Sequence, residues 1–183
     1  MPNLFRQSTV DVCLNRLSFT LDVFGGEMSS GNGQSNFPFT FVRLLGKGTS
    51  AQVWLARHRA SDHDVALKVF NVQGRSSNQV EEFFRETRFV ARAAHRNILE
   101  VWGYGRASES VEFGGEVVLA VDQLYLVSEY VSGGSLDAHA GELDWTQTRA
   151  VLTDLLLGLA RIHARGIVHL DLKPANVLLS ERG

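Results

Sequence analysis

The chain has 183 residues, 44% hydrophobic and 21% charged, enough apolar material for a buried core and too much for wholesale disorder. Its formal net charge of -2 gives no overall drive toward nucleic acid. Cys13 is the single cysteine and the six histidines are scattered, which excludes an intrachain disulfide and argues against a structural metal site.

The amino terminus, Met1 to Arg6, has no basic region followed by an apolar run and a small-residue cleavage site. No stretch of 18 apolar residues is present, so no membrane span is expected and the expected location is the cytoplasm. Residues 8–24 alternate in two short runs. Val10, Val12 and Leu14 share one parity; Leu17, Phe19, Leu21 and Val23 share the other. Residues 1–24 therefore read as an N-terminal extension holding two strands joined by a turn, a β-hairpin, or one strand with a bulge. Residues 25–36, "GGEMSSGNGQSN", have the Gly/Ser composition of a flexible linker.

A different texture begins at Phe37. "FTFVRLLGKGTSAQVWLARH" reads as strand, glycine turn, strand, and "DVALKVFNV" as a further strand. In "SSNQVEEFFRETRFVARAA", Val80, Phe83, Phe84, Thr87 and Val90 recur at helical spacing behind a Ser-Ser-Asn start. "ILEVWGYGRA" and "QLYLVSEYV" read as neighbouring strands, with "SESVEFGGEVVLAVD" as an extended hairpin between them. "WTQTRAVLTDLLLGLARIHARG" is the strongest helix; Leu152, Leu155, Leu156, Leu159 and Ile162 form a broad apolar stripe, and Arg165-Gly166 marks its end. Strands with one helix among them, followed by a long helix, make an α+β fold.

Three stretches carry chemistry. Gly46, Lys47 and Gly48 lie in a glycine turn between apolar strands, where backbone N–H groups can approach phosphates without a side-chain clash. Lys68 stands in an otherwise apolar strand, where burial demands a partner; Glu86 on the following helix is the carboxylate candidate. Near the carboxyl end, "HLDLKPAN" orders an aspartate, a lysine and an asparagine on one loop. Asp171 can accept a hydroxyl proton, Lys173 can neutralise a transferring phosphoryl group, and Asn176 can offer an oxygen to Mg²⁺.

Taken in order from about Phe39 to Leu179, these motifs, with "HRNIL" and the segment "SEYVSGGSL", resemble a eukaryotic-type (Hanks-type) serine/threonine protein kinase. The resemblance implies a small lobe of antiparallel sheet plus one helix, with the beginning of a helical large lobe. It implies ATP and Mg²⁺ as cofactors and a protein Ser/Thr hydroxyl as acceptor, with no nucleic acid partner. By the same resemblance Gly46, Lys47 and Gly48 cover the ATP phosphates. Val53 and Ala66 flank the adenine from one side and Leu178 from the other. Lys68, paired with Glu86, binds phosphate, while Glu129 and Val131 offer hinge backbone groups. Asp171 is the base, Lys173 the phosphate neutraliser and Asn176 a metal ligand.

The sequence departs from the family pattern in three places. Ala51 replaces the third glycine of the loop. Leu170 stands where many members have an arginine that pairs with an activation-loop phosphate, so that control loses its electrostatic logic. The 183 residues contain no Asp-Phe-Gly, whose aspartate is the family's main Mg²⁺ ligand; residues 37–183 thus read as a kinase domain incomplete at the C-terminus. Three readings stay open: a fragment of a longer kinase, a short protein completed by another chain, or a catalytically inactive, pseudokinase-like module that binds nucleotide or a partner. Little phosphoryl transfer is expected of these residues alone, and self-association or a partner is expected to cover the 145–165 helix.

Overall fold

Alternation along two central strands decides which way the main sheet faces. The computed structural model describes residues 10–14, 36–71 and 94–181, which fall into two compact units. One unit is the sheet: β2 (Phe39–Lys47), β3 (Ala51–His58), β4 (Asp64–Phe70), β5 (Val101–Arg106) and β8 (Leu124–Glu129) run antiparallel in the order β2-β3-β4-β8-β5. Val65, Leu67 and Val69 of β4, Trp54 and Ala56 of β3, and Val127 of β8 point to one face, all buried. Phe37, Phe39 and Phe41 close that face. Phe41 meets Trp54 edge-on at 5.4 Å and Phe37 meets Tyr125 edge-on at 5.2 Å, while Phe37 and Phe41 stack at 6.2 Å. Each such large side chain contributes about 1.5–3 kcal/mol by leaving water.

The expected hairpin between β5 and β8 is present as β6 (Val111–Phe113) and β7 (Glu116–Leu119). Its two turn residues, Gly114 and Gly115, have φ of 64° and 84°, the paired left-handed conformation that tight hairpins require. The hairpin delivers Val111, Val118 and Leu119 to the same apolar cluster.

The second unit is built on one helix, α1 (Trp145–His163), and one strand, β9 (Val177–Glu181). The helix starts because Asp144 accepts from the Gln147 amide at 2.8 Å while Gln147 accepts from the Asp144 amide at 2.9 Å, a reciprocal capping box. It stops at Gly166, whose φ of 69° lets its N–H reach the His163 carbonyl and the Ile167 N–H reach that of Ile162. Ile162 and Ile167 then bury together against Ile98, the apolar contact that seals such an ending.

The predicted apolar stripe on this helix divides. Val151, Asp154, Gly158 and Ile162 are its buried residues, and Leu155 and Leu159 lean onto the cluster formed by Val151, Val177 and Leu179. Leu152 and Leu156 lie instead on the solvent side with Leu157, 43–63% exposed. The inward face is centred one residue earlier than the leucine pattern suggests, because valine, glycine and a paired aspartate occupy it. Asp154 is held there by Arg96 at 3.4 Å.

Strand β9 is flanked on both edges. On one, Leu178 bridges Ser135 and the Leu179 N–H donates to the Gly134 carbonyl at 2.9 Å. On the other lies β1 (Val10–Leu14), antiparallel over five residue pairs. The first run of the N-terminal extension is thus a strand whose described partner is β9. The second run, the 25–36 linker and the expected helix over residues 76–94 with Glu86 lie outside the described residues, apart from Asn36 and Ala94.

A Cβ placed on Gly133 would fall on the backbone carbonyl of Leu179, which cannot rotate away as a side chain could. Gly133→Ala should therefore cost about 1–3 kcal/mol in chemical denaturation of the full chain. Gly46→Ala, where nothing lies within 4 Å of the added carbon, should stay within about 0.5 kcal/mol of the parent.

Candidate active site

Pro174 opens a single 3₁₀ turn, Pro174–Asn176, with the fixed φ that suits a first helical position. The turn swings Asn176 back toward Asp171. Its Nδ2 donates to the Asp171 backbone carbonyl at 2.8 Å and to the carboxylate Oδ2 at 2.9 Å. Lys173 Nζ lies 3.0 Å from the same Oδ2. The three residues expected to work together are therefore brought together. The Asp171 carboxyl is held below the usual carboxylate range, first by the hydrogen bond from Lys173 and then by that from Asn176. Because Asn176 spends its amide nitrogen on Asp171, its Oδ1 is the atom left to face a cation, the donor type that hard divalent ions take. Leu170, just before Asp171, has φ of 42° and is 91% exposed, so the aspartate follows a left-handed residue rather than a packed one.

In the sheet unit, cross-strand register carries the remaining candidates. Val53 is opposite Lys68, and Lys68 is opposite Leu126; one step along, Leu55 is opposite Ala66 and Ala66 opposite Ser128. Val53, Ala66 and Lys68 thus share the face turned away from the aromatic cluster, each half-buried. Lys68 Nζ sits 5.6 Å from the ring centroid of Phe70 on that same face. The glycine turn is a hairpin closed by the Gly48 N–H on the Ala51 carbonyl at 2.9 Å, with Gly46, Lys47 and Gly48 exposed. Glu129 ends β8, and the following Tyr130 hydroxyl accepts from Arg43 at 3.2 Å. In the helical unit Val131 packs with Leu99 and Leu178. Ser128 is 3% exposed, and its hydroxyl is turned to the Glu129 carbonyl at 3.2 Å.

His139, which pattern reading passes over, ties Gly133 to Glu142. Its Nε2 lies 2.8 Å from the Gly133 carbonyl and its Nδ1 2.9 Å from Glu142 Oε2, so both nitrogens face acceptors and only the imidazolium can donate to both. The legible signal was the i,i+3 spacing of His139 and Glu142 within a short turn.

Comparison with known proteins settles the family. The model of the protein kinase domain matches residues 39–183. This chain belongs to the protein kinase domain family. A CBL-interacting serine/threonine-protein kinase 19 of Arabidopsis thaliana is 35% identical over 144 residues, covering 77% of this chain and 27% of that protein. An L-type lectin-domain containing receptor kinase V.4 of the same plant is 30% identical, covering 78% and 21%. The chain spans about a quarter of the length of these curated relatives. Among solved structures, a point mutant of the Mycobacterium tuberculosis PknI kinase domain aligns with a TM-score of 0.58 at 30% identity, covering 85% of this chain and 60% of that one. The fold is that of a kinase small lobe with the start of the large lobe. Among the described residues no helix is long and apolar enough to cross a membrane.

In this kinase domain the His139 pair predicts a pH effect of definite sign. The Gly133 carbonyl, and next Glu142, raise the imidazole pKa above its ordinary value. A raised folded-state value stabilises fully below the unfolded pKa of about 6.5, and that contribution disappears as pH rises through the folded value. His95 shifts the opposite way, lowered chiefly by burial, so the test must compare proteins that share it. The melting temperature of the parent should exceed that of His139→Gln at about pH 5.5, and the gap should close by about pH 8.5. A gap that widens with pH would reverse the assignment.

Proposed function

We propose that this domain transfers phosphoryl groups from Mg·ATP to serine or threonine hydroxyls of a protein substrate. The observation that carries the reading is the Asp171–Lys173–Asn176 cluster, with both partners within 3.0 Å of one aspartate. Asp171, kept ionised by those partners, orients and accepts the proton of the acceptor hydroxyl. Lys173 sits where negative charge grows on the moving phosphoryl oxygens. Asn176 offers Oδ1 to the cation. Mg²⁺, bound with the nucleotide, supplies charge neutralisation of the phosphates.

For the nucleotide, Gly46, Lys47 and Gly48 are the proposed phosphate cover. Support comes from Gly46, where the fold itself leaves an added Cβ nothing to touch, so the space is open to a ligand. Val53, Ala66, Lys68, Glu86, Glu129, Val131 and Leu178 are proposed as its further contacts. A cytoplasmic setting, which provides Mg·ATP, belongs to the same reading. So does a partner or a second copy over the 145–165 helix, favoured by the exposed Leu152, Leu156 and Leu157. The second reading, a nucleotide- or partner-binding module without catalysis, keeps the nucleotide contacts and drops the transfer step; Leu170, which cannot pair with a phosphorylated segment as arginine would, bears on control under either reading.

The deciding experiment incubates a full-length protein carrying these 183 residues with Mg·ATP and a generic protein substrate and looks for phosphoserine or phosphothreonine. Asp171→Asn should lower transfer by at least ~10²-fold while leaving ATP binding in place. ATP binding without transfer by the parent would select the second reading. Gly46→Ala should weaken ATP binding without the stability loss of Gly133→Ala.

A further inference from the structure

The glycine turn is tied to the end of β4 by one residue. Asn71 follows that strand. Its backbone N–H donates to the Ser50 carbonyl at 2.8 Å, and its side-chain Nδ2 donates to the Thr49 carbonyl at 3.1 Å. A trans peptide unit carries its carbonyl and its N–H on opposite sides. Holding these two carbonyls toward Asn71 therefore turns the successive N–H groups of Ser50 and Ala51 away from it, an arrangement that suits an anion.

The peptide unit that joins Phe70 to Asn71 is gripped from its other side as well. The Phe70 carbonyl accepts from Gln123 Nε2 at 2.9 Å. Gln123 is fixed in turn. Its Oε1 accepts from the Ala120 N–H at 2.7 Å, its own N–H donates to the Ala120 carbonyl at 3.1 Å, and its carbonyl accepts from the Ala107 N–H at 2.9 Å. One side-chain amide and one peptide unit thus link the exit of the β6–β7 hairpin to the glycine turn, each hydrogen bond polarising the next. All of these groups lie in the sheet unit. The two side chains must be amides for the series to hold. A carboxylate lacks the donor, and an apolar side chain lacks donor and acceptor alike.

We propose that Asn71 and Gln123 are positioning residues that hold the glycine turn in the conformation that covers the nucleotide phosphates, with the β6–β7 hairpin as their anchor. The inference rests on the nucleotide reading of the site given above. It assigns both residues to the phosphate-dependent part of binding, because the adenine contacts proposed at Ala66 and Leu178 lie outside the turn.

Two measurements on a full-length protein carrying these 183 residues test it. The first compares Mg·ATP with adenosine by calorimetry. Asn71→Ala and Gln123→Met should each weaken ATP binding by at least about fivefold, the scale of one net hydrogen bond, and leave adenosine within about twofold. Both act through the Phe70–Asn71 peptide unit, so the double variant should lose less than the product of the single losses. Unchanged ATP affinity, equal losses for ATP and adenosine, or fully multiplicative losses overturn the proposal. The second measurement needs no nucleotide. Amide exchange read by NMR in Gln123→Met should speed at Asn71 and Gly48 and stay unchanged at Leu67 in the middle of β4. Unchanged rates at Asn71 and Gly48, or equal acceleration at all three amides, overturn the link between hairpin and turn. A parent that binds neither ATP nor adenosine overturns the nucleotide reading itself, and the exchange rates then decide the link without it.

Discussion

The arrangement of the loop depends on one amide group. Asn176 gives both hydrogens of its nitrogen to Asp171, one to the backbone and one to the carboxylate, and in doing so closes the loop on itself. A carboxylate this exposed would otherwise sample several rotamers; two donors fix it. The closure survives only while Asn176 itself is anchored, and its anchor is the strand that follows. Val177 and Leu179 are buried against Val151 of α1, so hydrophobic burial in a helix–strand contact ends up setting the geometry of polar groups at the surface. The helix is held in turn by a capping box at its start and a left-handed glycine at its end.

The sheet unit solves a different problem. It must present a lysine on a strand whose neighbours are apolar. Strict alternation separates the duties: one face collects Phe37, Phe39, Phe41 and Trp54, and the other keeps Val53, Ala66 and Lys68 in register across β3, β4 and β8. The aliphatic stem of Lys68 is half-buried and its ammonium lies beside Phe70, an arrangement that keeps the charge near the sheet at modest desolvation cost. Ala66 and Ser128 are small and opposite one another, so the surface between Val53 and the end of β8 stays low.

Most of the fold was legible in the sequence because most of it follows from period and turn chemistry. Period-two runs marked β2 to β5 and β8, and Gly114-Gly115 announced the hairpin between β5 and β8. The loop cluster was legible because its three polar residues sit close together in sequence, where chain geometry alone brings them near one another. Elsewhere the reading was less sharp. The helix stripe was legible in part: Leu155, Leu159 and Ile162 turn inward and Leu152 and Leu156 stay exposed, as a stripe short of cover implies, but Val151, Gly158 and the ion-paired Asp154 on the inner face carry no hydrophobic bulk signal. The pairing of β1 with β9 joins the two ends of the chain, and no local pattern reports a partner more than 160 positions away. His139 was missed because its role lies in two acceptors that only the folded turn assembles.

The double flanking of β9 has a topological consequence. A strand with a free edge can recruit a neighbour by simple addition, and the sheet widens. Here Gly134 and Ser135 take one side and β1 takes the other. Any further strand that is to lie directly beside β9 must evict a present one, so at that position the incoming and outgoing strands are mutually exclusive.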